Sequence, residues 1–445
     1  MVSPAMLIVA LVIAIAIILF CIIVLKLNAS IGMVLASLFM GVAGGLDLMT
    51  TMDTISSGFG SMMTSILPVG FGTILGQLMS DSGAADIIAD KLVSAFPEKR
   101  SIWGLSLAGF VLSIPVFFDV TFIILIPIGI TIAAKIDMKM CYVTGCLTIG
   151  ATTAHCVVPP TPNPLAAADI FGFDLGIMMI VGLVVGFITV LVSDFIYVKI
   201  HNRGIWNEEK DVNHSSNVVN ELVAARAAQN DAKARPSFGM ALLPVVIPVV
   251  CILFGTLGTA VFDEEPLRCS FLGNKLGAMT LGTLGAYLVS LPYIGRENLE
   301  KSAGEALKSA GVVLLITGAG GALGNIIKVS GIGDVLGATV VSWPIPAILI
   351  PVLIGALMRL ALGSATVAIT TSASLTAPLI ATLGLNPVLL AQASCIGAIA
   401  FSYFHDSGFW VFNGMFGLSE IKDQLRCKTA VSFIMTGVGL VELLI

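Results

Sequence analysis

The 24 residues from Phe238 to Val261 contain no charged side chain. At a helical rise of about 1.5 Å per residue, such a run spans the ~30 Å hydrocarbon core of a bilayer. It is not isolated. Met6 to Leu25 is also free of charge, and Pro346 to Gly384 carries only Arg359. Hydrophobic residues make up 57% of the chain and charged residues 11%, against about 25% charged in soluble domains. Backbone polar groups in lipid must be satisfied within the protein, so these runs predict a polytopic helical membrane protein. Met1 to Phe20 lacks a basic leading region and a clear cleavage site, and reads as a first transmembrane helix. The eight cysteines show no paired spacing, and no His/Cys set suggests a metal or another cofactor.

In chain order, helices are expected over about Met6–Leu25, Ala29–Leu46 and Gly58–Met79, with a polar turn at Asp47 to Asp53. Asp81 to Arg100 reads as amphipathic and interfacial. Ser101 to Ala134 is too long for one crossing and short for two, and Pro115 to Asp119 lies at its middle. That pattern predicts a re-entrant hairpin. A helix from Met140 breaks at Pro159-Pro160-Thr161-Pro162-Asn163-Pro164, because four prolines in six residues cannot stay helical. Another helix covers Leu175 to Val198. Residues 199–237 form the one long hydrophilic segment and read as a linker between halves.

The second half, 238–445, follows the plan of the first, 1–198. Helices are expected at Phe238–Val261, Lys275–Pro292 and Ala310–Ile327, with a second hairpin within Pro346–Gly384. A helix from Pro387 breaks at His405-Asp406-Ser407-Gly408, and a last one covers Thr429–Ile445. A shift of 248 positions places Gly70, Gly72, Leu75, Gly76, Ser82, Gly83 and Asp86 on Gly318, Gly320, Leu323, Gly324, Ser330, Gly331 and Asp334. Five crossings per half is odd, which predicts two inverted-topology repeats: about ten transmembrane helices, two re-entrant hairpins and two broken helices. Basic residues concentrate on cytoplasmic loops. With both termini periplasmic, about 18 of the 22 basic residues fall inside, only Arg268, Lys275 and Lys328 fall outside, and Arg359 lies within the membrane.

Inverted repeats with broken helices place a substrate site where half-helix ends converge. The ionisable residues expected at membrane depth are Asp119, His155, Arg359, His405 and Asp406. Arginine there costs at least about 2.5–3.5 kcal/mol on insertion scales, which marks it as functional. Its fork matches a carboxylate. Arg359 either neutralises an anionic substrate or pairs with Asp119 or Asp406. Gly363, Ser364 and Thr366 follow it and suit either substrate contact or close helix packing. His155, Thr161, Asn163 and Ser407 are the other candidate substrate contacts, and Asp119, Asp406 and His155 the candidate proton carriers. No HExxH or serine dyad points to an intramembrane enzyme.

The run Arg359 to Ala368, His155 followed by Pro159-Pro160, Asp406-Ser407-Gly408-Phe409-Trp410 and Gly318 to Ala322 resemble the gluconate:proton symporters, the GntP family of the ion transporter superfamily. The resemblance covers essentially the whole chain. It implies proton-driven uptake of gluconate or a related hydroxy-carboxylate across a bacterial inner membrane, by a homodimer with an elevator-type displacement. Expected partners are therefore a small carboxylate, protons and the lipid bilayer, and not nucleic acid. Thr161 and Asn163 stand where many relatives carry histidine or glycine, and Asp119 where glutamate is common. D-serine or another small acid, with sodium in place of protons, is the alternative within the same machinery.

Overall fold

The computed structural model describes residues 3–97, 100–115, 118–135, 140–202, 234–261, 271–331, 335, 345–362, 364–380, 384–403, 409 and 421–445. Every regular element among them is helical. The first half comprises α1 (Pro4–Leu19), α2 (Ala29–Ala43), α3 (Leu48–Ser61), α4 (Met63–Asp81), α5 (Ala84–Ser94), α6 (Ser101–Leu112), α7 (Phe118–Lys135), α8 (Met140–Val157), α9 (Pro162–Phe171) and α10 (Leu175–Asn202). The second comprises α11 (Phe238–Val261), α12 (Lys275–Val329, broken at Gly295), α13 (Leu349–Leu362), α14 (Ala365–Thr376), α15 (Pro387–Ile399) and α16 (Val431–Leu444). A short helical segment from Ile421 leads into α16.

Among the described residues, Leu175–Ile200, Phe238–Gly258, Lys275–Lys308 and Ile421–Leu444 are long and apolar enough to cross a membrane alone. The pair Leu48–Ser61 and Ile66–Asp81, bent by 42°, adds a fifth span if counted as one. Apolar side chains on these helices face outward as well as inward. In α10, Ile177, Ile180, Val184, Phe187, Leu191 and Phe195 are exposed along one stripe, while Met178, Val190 and Tyr197 are buried. That arrangement suits a hydrocarbon surround, where packing between helices supplies the core.

Three sequence expectations need correction. The stretch after Asp47 is a helix, not a turn. Asp47 caps α3 by accepting from the Met49 and Thr50 amides, both at 3.0 Å, as an N-terminal acid should. Its modest apolar content hid it from a hydropathy reading. The proline-rich break is also shorter than expected. Helix resumes at Pro162, because prolines in a first turn forfeit no intrahelical bond. The break at the end of α15 comes early as well, since that helix ends at Ile399 rather than near His405.

Element boundaries recur along the chain. The start of α6 at Ser101 and of α13 at Leu349 are 248 positions apart, as are the ends of α4 and α12. Gly83 and Gly331, just past those two ends, both take φ of +74°. This left-handed conformation is the one glycine adopts without steric cost at a helix terminus.

Two helix crossings, one in each half, are built on glycine in the same way. A Cβ at Gly150 in α8 would overlap the Ser106 carbonyl oxygen of α6, and one at Gly397 in α15 would overlap the Val352 carbonyl oxygen of α13. These backbones touch only because both positions lack a side chain. Gly150→Ala is therefore expected to cost about 3 kcal/mol or more. Gly60→Ala, where a Cβ meets nothing within 4 Å, should leave the protein intact. Thermal unfolding of the two variants in detergent checks the contrast.

Candidate functional site

Two helix N-termini meet inside the protein. α9 starts after the break at residues 158–161, and α14 starts after Ser364. Thr366 in the first turn of α14 donates to Asn163 Oδ1 in the first turn of α9 at 2.8 Å. Asn163 is fully buried, and its Nδ2 donates to the His155 carbonyl oxygen at 3.4 Å. The hydroxyl of Thr161 donates to the Val158 carbonyl oxygen at 2.8 Å and so closes the break itself. Ser364 caps α14 by accepting from the Val367 amide.

Each helix start leaves amide groups without intrahelical partners and carries roughly half a positive charge. Arg359 adds a full one. It lies in the last turn of α13, at 7% exposure, within electrostatic reach of His155. Two dipole ends and a guanidinium in one region favour an anion. Hydroxyl and amide groups beside them can bind hydroxyls.

The rest of α14 is polar but satisfied internally. Thr370 and Thr376 bond back to the carbonyls of Thr366 and Ser372, and Ser372 and Ser374 donate to the carbonyls of Pro351 and Gly320. These hydroxyls hold helices together. Only Thr366 reaches the neighbouring break.

Of the expected site residues, the structure therefore brings together Arg359, His155, Asn163 and Thr366, with Thr161 and Ser364 forming the adjacent caps. Asp119 falls in the first turn of α7, but its side chain is outside the described residues. Gly363, His405, Asp406 and Ser407 lie outside them too.

The structure also buries ionisable side chains outside that expected set. Asp194 in α10 is 1% exposed, with Ser106 of α6 and Cys146 of α8 as polar neighbours. Neither of its carboxylate oxygens has a well-formed hydrogen bond among the described residues. Lys428 is also 1% exposed and sits 4.8 Å from the centroid of the Phe122 ring. A lone aspartate in the apolar run of α10 was itself a signal for such a residue. The contact of Lys428 with α7 had none.

A cavity of about 900 Å³ opens at the opposite ends of α9 and α14. Thr64, Asp169, Asn325, Lys328, Ser374 and Pro378 contribute to its wall. Asp169 forms an ion pair with Lys275 and accepts from the Thr64 hydroxyl at 3.1 Å. Among the described residues, none of the expected substrate residues lines this cavity. It lies along the same two helices, about 9 Å from Asn163 by way of α9 and about 12 Å from Thr366 by way of α14 at the ordinary helical rise.

Lipid-facing helices, two interior breaks that meet, and a polar cavity beside them define the class, a multi-pass membrane transport protein. The fold matches that of Neisseria gonorrhoeae MtrF, described as illuminating a class of antimetabolite efflux pumps. Its TM-score is 0.70 at 12% identity, covering 93% of each chain. The family model for the GntP family permease matches residues 6–445, so the chain belongs to the GntP permease family. It is a permease and not an enzyme.

An uncharacterized permease of Haemophilus influenzae is 33% identical, covering 97% of this chain and 90% of its own. A gluconate permease of Pseudomonas aeruginosa is 32% identical, with 94% and 93% covered. The Gnt-II system L-idonate transporter of Escherichia coli is 29% identical, with 94% of each chain covered.

The contact between the two helix starts is testable alone. Thr366→Val leaves buried Asn163 Oδ1 without its donor, at an expected cost of about 1–3 kcal/mol. Thermal unfolding in detergent should show that loss, and substrate affinity should fall with it.

Proposed function

We propose that this permease is a secondary active transporter that takes up gluconate or a related sugar acid with protons, by alternating access, across a bacterial inner membrane. One observation carries the reading: the starts of α9 and α14 are tied by Thr366 and Asn163, with Arg359 one turn before the second break. A sugar acid has one carboxylate for such a positive region and several hydroxyls for the groups around it. The names of the Pseudomonas and Escherichia relatives, a gluconate permease and an L-idonate transporter, support the same substrate class.

In this reading Arg359 binds the carboxylate. His155, Thr161, Asn163, Gly363, Ser364, Thr366 and Ser407 surround the substrate. Asp119, Asp406 and His155 are the proposed proton carriers, and the buried Asp194 joins them. Residues 1–198 and 238–445 are proposed as inverted repeats joined by the cytoplasmic linker 199–237, with both termini periplasmic. The matched boundaries of α4 and α12 and of α6 and α13 support a repeat. A homodimer is proposed from the family resemblance.

The test is uptake of labelled D-gluconate into proteoliposomes in sodium-free buffer, with and without an inward proton gradient. Gradient-driven uptake blocked by other sugar acids is the expected result. Uptake of D-serine alone, or only with sodium, would overturn the assignment. Arg359→Lys is expected to lower uptake by at least tenfold with normal expression, since lysine keeps the charge but loses the planar fork. Near-normal affinity would remove Arg359 from the site. Asp194→Asn should lose gradient-driven accumulation while retaining substrate exchange between the two sides. Unchanged accumulation would strike Asp194 from the proton carriers.

A further inference from the structure

Lys275 and Lys328 stand out in the sequence as basic residues on the expected outer side, against the bias that keeps such residues inside. They are 53 positions apart, at the two ends of α12, which is broken at Gly295, where the backbone leaves helical geometry. The structure nevertheless associates both with one cavity. Lys328 lines it, and Lys275 is paired with Asp169, which also lines it. The remaining exception, Arg268, is outside the described residues.

We propose that this cavity is a periplasmic capture site for the substrate carboxylate, built on Lys328 and Lys275 and separate from the Arg359 region. The proposal rests on the sugar-acid transport reading. Asp169 is the internal stand-in for the ligand. Its carboxylate holds Lys275 in place until a substrate carboxylate takes over that contact, with Lys328 as the second cation. The hydroxyl protons of Thr64 and Ser374 are donated to Asp169 and the Gly320 carbonyl, so their oxygens line the same space as acceptors only. Asn325 Nδ2 is already engaged by the Thr54 carbonyl and Ser57 Oγ, which fixes its amide and leaves Oδ1 as an acceptor for a substrate hydroxyl.

The volume, about 900 Å³, is ample for a six-carbon acid with water. α9 connects the two regions physically. Asp169 sits near its C-terminal end and Asn163 in its first turn.

A purely structural role predicts something different. Asp169 lies in the last turn of α9, where a negative charge opposes the helix dipole. Lys275 would offset that, with no bearing on substrate. The two roles separate at Lys328, which is exposed and whose removal does not disturb the pair.

The experiment measures gluconate uptake by the full chain in right-side-out and inside-out vesicles, at low and at high ionic strength. Lys328→Gln is expected to raise KM about three- to tenfold for entry from the periplasmic face at low salt, through lost electrostatic attraction. kcat should be near normal. The effect should shrink at high salt and be absent from the cytoplasmic face. Lys275→Gln combined with Asp169→Asn, which leaves no orphaned charge, should give the same face-specific rise. An unchanged KM with an unchanged salt dependence in Lys328→Gln overturns the capture site while leaving the transport reading standing. A wild-type chain that takes up and binds no sugar acid overturns both.

Discussion

The structure depends on ending two helices inside a protein that is otherwise adapted to lipid. A helix that starts inside the protein exposes amides, and one that stops exposes carbonyls, and hydrocarbon can satisfy neither. Here the starts of α9 and α14 are placed against each other, and the Thr366–Asn163 hydrogen bond ties them. Ser364 caps α14, and the Thr161 hydroxyl ties the first break to the Val158 carbonyl. Arg359, a few residues before the second break, brings the charge that makes the region attractive to an anion.

Holding such an arrangement requires close helix contacts without a strong hydrophobic drive. Glycine supplies them where α8 meets α6 and where α15 meets α13. Serine and threonine supply the rest. Along α14 their hydroxyls are spent on carbonyls of the same helix and of its neighbours. Each satisfied hydroxyl removes a penalty that would otherwise fall on burial. The same helix thus serves as packing element over most of its length and as a polar surface at its first turn.

Much of this was legible in the residues. The uncharged run Phe238–Val261 coincides with α11 at both ends, and Leu175 starts α10. The proline cluster marked the break after α8. The misses have physical reasons. Threonine and serine diluted the apolar signal of α3, although its Asp47 cap was written in the sequence. Pro162 and Pro164 looked like breakers, but in a first turn a missing amide costs nothing. Asp194 was visible as a lone acid in an apolar run and was passed over. The pairing of Lys275 with Asp169 was not visible, because 106 positions separate the two.

By itself the sequence determined the class and the chemistry available. Long uncharged runs demand helices in lipid, and an arginine among them demands a reason. Local residues suffice for that, since each helix satisfies its own backbone. Only the tertiary structure decided which ends meet. Thr366 and Asn163 are 203 positions apart, and nothing in the period of either helix names the other. Their contact follows from how α9, α13, α14 and α15 pack together, and packing depends on the shape of every helix at once.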